Sequence, residues 1–227
     1  MSGSVRLGVD VGGTFTDIVL VADGVTTAKV PTTADQSEGV LAGIERACEA
    51  AGIDPGDIEQ FRHAMTVATN ALLEGEGARA ALVTTAGFGD VLEIGRQDRP
   101  ALYDHTAERP APLVPAERRH EVDERATVEG IERAVDPEAV DAIAENIDPD
   151  VESVAVSLLH AYAHPENERR VADGLRERLD ATVVASHETL PEFREYERTA
   201  TTAVDAVVTP VIAGYLDRLT ARATDRD

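Results

Sequence analysis

Gly8–Val21 reads GVDVGGTFTDIVLV. Two apolar runs with strand character, Val5–Val11 and Phe15–Val21, flank a centre where Gly12-Gly13-Thr14 must turn the chain. A hairpin needs at most two special turn positions; it does not need Asp10, Thr14, Thr16 and Asp17 around them. Glycines let a backbone approach a ligand closely and let successive N–H groups point into one concavity, which suits an anion. Thr14 and Thr16 add hydroxyl donors, and Asp10 and Asp17 are acceptors at either end, suited to a hydrated Mg²⁺ that bridges phosphates. The stretch therefore reads as a phosphate-binding hairpin. A P-loop would need a helix after the glycines and a Lys-Ser/Thr pair, and Phe15–Val21 makes a poor helix start for a dinucleotide fingerprint.

Outward from the hairpin, VADGVTTAKV adds a third strand and completes a meander. Asp35 is placed to cap a helix running to about Ala51, with Val40, Leu41, Ile44, Ala47 and Cys48 on one face. FRHAMTVATNALLEGEG begins extended and turns helical near Val67, and ARAALVTT is a short buried strand. Arg96 to Pro115 holds Pro100, Pro110, Pro112 and Pro115 and reads as a long loop. Beyond it come a helix near Pro137–Asn146, a buried strand of the parallel kind in ESVAVSLLHAY, a helix over Pro165–Leu179 and a strand in ATVVAS. That β-α-β rhythm predicts a three-layer α/β subdomain. The remainder from LPEFREYERT onward predicts one or two long helices, kinked or broken near Pro210. The expected divisions are 1–115, an α/β region with the phosphate hairpin; 116–190, the α/β subdomain; and 191–227, a helical segment.

Charge narrows the function classes. The 227 residues hold 43 acidic and 21 basic side chains, a formal net charge of -22, and Lys29 is the only lysine. A surface this acidic repels nucleic-acid phosphates and anionic membranes, so neither is expected as a partner. No apolar run approaches the roughly 20 residues that span a bilayer. The start MSGSVRLGVD lacks a secretory pattern, and one cysteine, Cys48, rules out an internal disulfide framework. These features predict a cytoplasmic protein. Scattered acid with almost no lysine predicts a halophilic one, working where salt screens self-repulsion over a few ångströms.

GVDVGGTFTDIVL resembles the first phosphate motif of the actin-like ATPases, the superfamily of sugar kinases, actin and heat-shock-chaperone ATPases. More narrowly, the chain resembles the N-terminal region of the hydantoinase A / 5-oxoprolinase family. TVATNALLEGEGARAALVTTAGFGDVLEIGRQDRPALYD, SLLHAYAHPENE and SHETLPEFREYERTATTAVDA match that family's pattern as well. The matches run from Val5 to about Leu219, so one continuous domain over about 5–220 is the alternative to the three divisions above. The resemblance implies an actin-like, ribonuclease H-like α/β lobe: a mixed sheet with flanking helices, an α/β subdomain and long C-terminal helices.

Enzymes of this type use ATP to activate a cyclic amide such as 5-oxoproline or a hydantoin, or a small ketone in the related carboxylases. Phosphorylating the carbonyl oxygen of a resistant amide creates a good leaving group, and catalysis rests on phosphate positioning and charge neutralisation by Mg²⁺ or Mn²⁺. Carried over, Asp10, Gly12, Gly13, Thr14 and Thr16 would form the ATP-binding hairpin, with Asp10 holding the metal through water. Thr66, Thr69 and Asn70 lie at a strand-to-helix junction, where helix N–H groups meet an anion; simple helix capping is the bland alternative. Gly95, Arg96, Gln97 and Arg99 open the long loop, and the resemblance suggests that they line the active cleft. Arg96 could clamp a carboxylate or phosphate, or pair with nearby acid. His160 ends a strand where α/β sheets place ligands, or is a structural histidine. Asp10, Arg96 and His160 are the catalytic candidates, while Glu192, Glu195, Glu197 and Arg198 read as a charged helix start facing solvent or another domain.

Two departures qualify the resemblance. The family's His-Gly-Thr-Thr reads HAMT at His63 to Thr66, with Ala64 and Met65 replacing a flexible glycine and a hydroxyl. No second Asp-x-Gly-Gly-Thr and no Gly-Gly adenosine turn follows, so a truncation, one piece of a split gene or a degenerate relative is expected. The implied partners are the missing second lobe of the A subunit, a hydantoinase B-type subunit and a small cyclic-amide substrate. Non-catalytic binding or regulation, and a subunit of a related ATP-dependent carboxylase, are the alternative functions.

Overall fold

In a computed structural model, residues 4–33, 35–98, 100–104 and 106–224 are described. Contacts divide the chain into two units, Met1–Gly77 with Val211–Asp227 (unit 1) and Ala78–Pro210 (unit 2).

Unit 1 opens with β1 (Arg6–Val11), β2 (Phe15–Val21) and β3 (Val25–Pro31), an antiparallel meander. Then follow α1 (Gln36–Ala51), β4 (Gln60–Met65) and α2 (Val67–Glu74). β4 pairs parallel with β1, giving the order β3-β2-β1-β4. Strict alternation sends Leu7, Val9, Val11, Ile18 and Leu20 to one face, where α1 covers them with Val40, Ala47 and Cys48. Each such aliphatic side chain contributes about 1.5–3 kcal/mol when buried. Asp35 caps α1 as its sequence predicts, accepting from the Ser37 N–H, and Gly52 ends the helix in the left-handed conformation at φ 65°. A methyl group at Gly43 would overlap the Ile18 side chain, so glycine there lets α1 lie close on β2.

Unit 2 runs β5 (Ala80–Thr85), the single turn α3 (Val91–Ile94), β6 (Arg119–Val122) and a two-stranded hairpin of β7 (Arg125–Thr127) with β8 (Gly130–Arg133). It continues through α4 (Pro137–Asn146), β9 (Ser153–Ser157), α5 (Glu166–Arg176), β10 (Thr182–Ala185) and the short α6 (Ser186–Thr189). β10-β9-β5-β6 form an all-parallel sheet. Every residue of β5 and β9 is buried, as expected of central parallel strands.

This sheet takes β5 from before residue 115 and β6 from after it, so a division at 115 would cut hydrogen-bonded neighbours. The last helix, α7 (Glu195–Thr224), runs through Pro210 without a break, although the proline forfeits one helical hydrogen bond. An 18-residue window of α7 has a mean hydropathy of 1.3, apolar enough to cross a membrane by composition alone. Its Arg198, Ala203, Ala206, Val207 and Tyr215 are nevertheless buried in protein, as in a core helix.

Candidate functional site

β1 and β4 run parallel, so Val11 and Met65 finish side by side and the chain leaves both at the same end of the sheet. From β1 it enters the Gly12–Phe15 turn, closed by Gly12 N–H donating to the Phe15 carbonyl at 3.0 Å. Neither Gly12 nor Gly13 has positive φ. What glycine supplies is closeness: a Cβ on Gly12 would stand 3.2 Å from the Phe15 carbonyl oxygen, and one on Gly13 would stand 3.6 Å from Asn70 Nδ2. The missing side chain at Gly13 leaves the gap between hairpin and α2 open.

From β4 the chain passes through Thr66 into α2. Thr66 laces this junction to β1, since its N–H and its hydroxyl both donate to the Val11 carbonyl, at 3.1 and 3.2 Å. That hydroxyl therefore makes no capping bond, and α2 begins without a side-chain cap. Asn70 Nδ2 donates back to Thr66 Oγ1 at 3.3 Å. The first-turn N–H groups of α2 are thus left without the usual side-chain acceptor beside the Gly12-Gly13 turn, an arrangement that attracts an anion. Thr14 and Thr69 are exposed at this end.

Thr16 occupies a different place. It shares strand parity with Ile18 and Leu20, is fully buried, and sets its hydroxyl 3.4 Å from that of Thr32. Thr32, which the sequence reading passed over, donates its hydroxyl to the Gly12 carbonyl at 2.8 Å and its N–H to the Thr14 carbonyl at 2.9 Å. Thr16 and Thr32 rivet the hairpin from within. The Thr-Thr pair after β3 is the sequence signal that could have flagged this clasp.

Asp10 lies exposed on the sheet face away from α1, directly across from Asp17. Lys29 holds Asp17 at 2.7 Å, which leaves Asp10 as the carboxylate available beside the turn. A hard cation held by one carboxylate, its own waters and the ligand's phosphates suits that setting. Among the described residues no group of three or more His, Cys, Asp or Glu side chains could cage a metal.

Next to this end, His63 on β4 stacks against Tyr215 of α7 and accepts or donates a 2.8 Å hydrogen bond between Nε2 and the phenol oxygen. His63 Nδ1 is buried without a partner. Burial lowers the His63 pKa, with the charge of Asp10 acting the other way, and burial pushes the Tyr215 phenol up to about 12. The neutral pair is the stable form.

The remaining candidates lie in unit 2. Arg96 Nε donates to Glu197 at 2.6 Å on the surface, the pairing with local acid that sequence reasoning had set against a clamp. Glu197 is held below the usual carboxylate range by its own helix-start N–H and by Arg96. Arg99 lies outside the described residues. Gln97 and His160 both adopt positive φ, 60° and 53°, without being glycine. The His160 carbonyl accepts from Ala163 and His164 N–H groups, its ring tilts against Tyr162, and its Nδ1 is buried and unpartnered.

Arg198 departs most from expectation: it is 1% exposed, not solvated. Its guanidinium donates to the carbonyls of Leu158 and Glu192 and lies over the Tyr162 ring. Burial lowers its pKa, opposed by the charge of Glu168.

The family model described as the hydantoinase/oxoprolinase N-terminal region matches residues 6–179. The caprolactamase subunit alpha of Pseudomonas jessenii is 35% identical over 95% of this chain and 33% of its own length. The solved structure of that ATP-dependent caprolactamase superposes with a TM-score of 0.83, at 32% identity over 95% of this chain and 33% of its own. The acetophenone carboxylase gamma subunit of Aromatoleum aromaticum is 36% identical over 87% of this chain and 30% of its own length. A nucleotide-free acetone carboxylase superposes with a TM-score of 0.86 over the whole of this chain and 35% of its own, and at 24% identity this likeness concerns the fold. The chain spans about a third of the length of these relatives.

Proposed function

The chain belongs to the hydantoinase/oxoprolinase family and has the α/β fold of the actin-like ATPases, and from that premise we propose that it is the phosphate-binding part of an ATP-dependent cyclic-amide hydrolase. The observation that carries this reading is the uncapped start of α2 facing the side-chain-free Gly12-Gly13 turn. Together they offer backbone N–H groups, the Thr14 and Thr69 hydroxyls and the Asn70 amide to a polyphosphate. Thr16 supports the hairpin from behind, and Asp10 suits a hydrated Mg²⁺ or Mn²⁺ that shares the phosphates. When bound, such an ion supplies charge neutralisation.

In the proposed reaction the γ-phosphoryl group passes to the amide carbonyl oxygen and ADP leaves. Water then attacks the activated carbon, the ring C–N bond opens as the leaving nitrogen takes up a proton, and a second water hydrolyses the resulting acyl phosphate to carboxylate and phosphate. The hairpin's part is to orient the phosphates for in-line transfer. Further polypeptide, corresponding to the rest of the relatives' length and to a B-type subunit, would complete the nucleotide and amide sites. The caprolactamase likeness supports a cyclic amide as the substrate class. The likeness to an acetophenone carboxylase subunit supports a second reading, in which a ketone is phosphorylated and carboxylated.

Calorimetric titration of the chain with Mg-ATP tests the hairpin. Gly13→Ala fits the backbone but fills the gap, and Asn70→Ala removes a donor; each is expected to weaken ATP binding about tenfold, the effect of one lost charge-assisted hydrogen bond. Unchanged affinity in both variants would sink the assignment. With the remaining polypeptide supplied, ADP release that depends on 5-oxoproline, hydantoin or caprolactam supports the hydrolase. Release that requires a ketone and bicarbonate supports the carboxylase.

A further inference from the structure

The sheet of unit 1 has one face packed by α1 and one face open. On the open face Phe15 is 46% exposed, Val19 41% and Val25 70%. The β1-β4 pair at one edge of this sheet runs parallel, and parallel strands are ordinarily covered on both faces by helices. Gly8 has no side chain at the middle of β1, and its neighbours in register are Val19 on β2 and Arg62 on β4. A trough results over Gly8. One part, about 260 Å³, is walled by Val19, Val21, Arg6, Gln60 and Arg62. It continues over Gly8 and Val19 toward Asp10 and Ala64 as a second part of about 470 Å³.

The two ends of this trough differ in charge. In a chain of net charge -22, Arg6 stands at one end and Arg62 beside Gly8 where the two parts meet, neither with an ion-pair partner among the described residues. At the other end Lys29 neutralises Asp17, while Asp10 stays free. The sheet's backbone groups beneath the trough are already paired across β2-β1-β4, so an occupant of this face cannot dock as another strand. A helix can, because a ridge of apolar side chains fits the furrow that Gly8 opens between Val19 and Arg62.

We propose that the trough seats an amphipathic α-helix whose flank toward Arg6 and Arg62 carries carboxylates. Its source is the polypeptide corresponding to the two-thirds of the relatives' length that this chain does not span. This rests on the reading above, in which further polypeptide completes the lobe, and it names where and by what chemistry that polypeptide docks. The helix would bury Val19 against its apolar face and pair both arginines.

The test is calorimetric titration of the whole chain with that remaining polypeptide, expressed separately. Val19→Asp and Arg62→Glu alter exposed positions and are each expected to weaken association at least about tenfold, the size of a central contact. Glu49→Lys on the exposed side of α1 is expected to change it less than about twofold. Melting curves establish that each variant is folded, and should one misfold, the other still decides. Association that ignores both trough variants, or no association at all, overturns the proposal. Sedimentation showing a dimer of this chain that Val19→Asp dissociates overturns it in favour of a second copy. Cyclic-amide-dependent ADP release is read in the same mixture. Turnover with trough-independent association removes the docking surface and spares the hydrolase; trough-dependent association without turnover does the reverse.

Discussion

In unit 1 the polar side chains at the strand ends, Asp10, Thr14, Thr66 and Thr69, lie exposed, whereas the equivalent end of the sheet in unit 2 buries Thr85, Glu124, Glu168 and Ser186. Glu168 alone accepts from the Leu158 N–H at 2.7 Å, the His187 N–H at 2.7 Å and the Ser186 hydroxyl, and pairs with His187 Nδ1 at 2.8 Å. Glu124 accepts from Asn167 Nδ2 at 2.7 Å and from the Thr85 hydroxyl. The chain leaves β5 toward β6 on one side and β9 toward β10 on the other, so unit 2 has the topological switch where α/β sheets usually bind ligands. Thr85, Glu124, Glu168 and Ser186 there are already hydrogen-bonded to one another or to their neighbours, while His160 Nδ1 and Arg198 Nε are buried without a partner. Fold topology alone would point to unit 2; hydrogen-bond accounting points to the hairpin of unit 1.

The largest expected effect touches both units alike. If the acidic surface is an adaptation to concentrated salt, lowering salt from molar to about 0.01 M extends the screening length from about 3 to 30 Å and leaves a net charge of -22 repelling itself. Unfolding or aggregation well below molar salt, followed by circular dichroism and light scattering, is the expected outcome. A chain fully stable in dilute buffer removes the halophilic reading.

The next prediction separates the units. Glu168→Gln keeps the shape but strips the buried Arg198 of its compensating charge and weakens four hydrogen-bond contacts. A loss of about 3 kcal/mol is expected from urea unfolding. Thr69→Ala in unit 1 is expected to change stability by less than about 0.5 kcal/mol, because its side chain is exposed. Equal effects would break the contrast between the units.

Much of this arrangement is legible in the sequence, and what is not has identifiable causes. Alternation in GVDVGGTFTDIVLV, Asp35 before a helical stripe and the continuous apolar runs of β5 and β9 carry strong local signals. β6, β7 and β8 escape because the alternately buried positions Val122, Glu124 and Ala126 include a carboxylate, which hides the apolar period. The hairpin and TVATN read as one phosphate site, and the structure brings the two to the same end of one sheet. Thr16's inward position follows from its parity with Ile18, but ligand chemistry was the more attractive explanation for a hydroxyl there. Arg198 reads as surface because its compensation comes from Leu158 and Glu192 carbonyls and from Glu168, none of which is marked by helical spacing. The missing cap on α2 could not be read at all, since Thr at that position ordinarily caps and here donates to Val11 instead.

The smallest effect concerns a titratable pair in unit 1, half-buried His63 with buried Tyr215, which are 152 residues apart and without local signal. Burial raises the phenol to about 12, so between pH of about 10 and 12 the unfolded chain releases this proton more readily than the folded one. The stability it contributes is full below about pH 10 and falls through that window. Burial lowers the His63 pKa, so below about pH 6.5 the unfolded imidazole binds a proton that the folded one refuses. That contribution is full above about pH 6.5 and is lost as the pH falls. The pair therefore brackets a plateau of stability between the two limbs. Tyr215→Phe is expected to cost about 1 kcal/mol at pH 8, the worth of one buried hydrogen bond, and to flatten the alkaline limb. Melting temperatures across pH, with tyrosinate absorbance to follow the phenol, decide it. An alkaline limb that survives unchanged in Tyr215→Phe would show that another group sets it and that the phenol–imidazole contact does not hold α7 to β4.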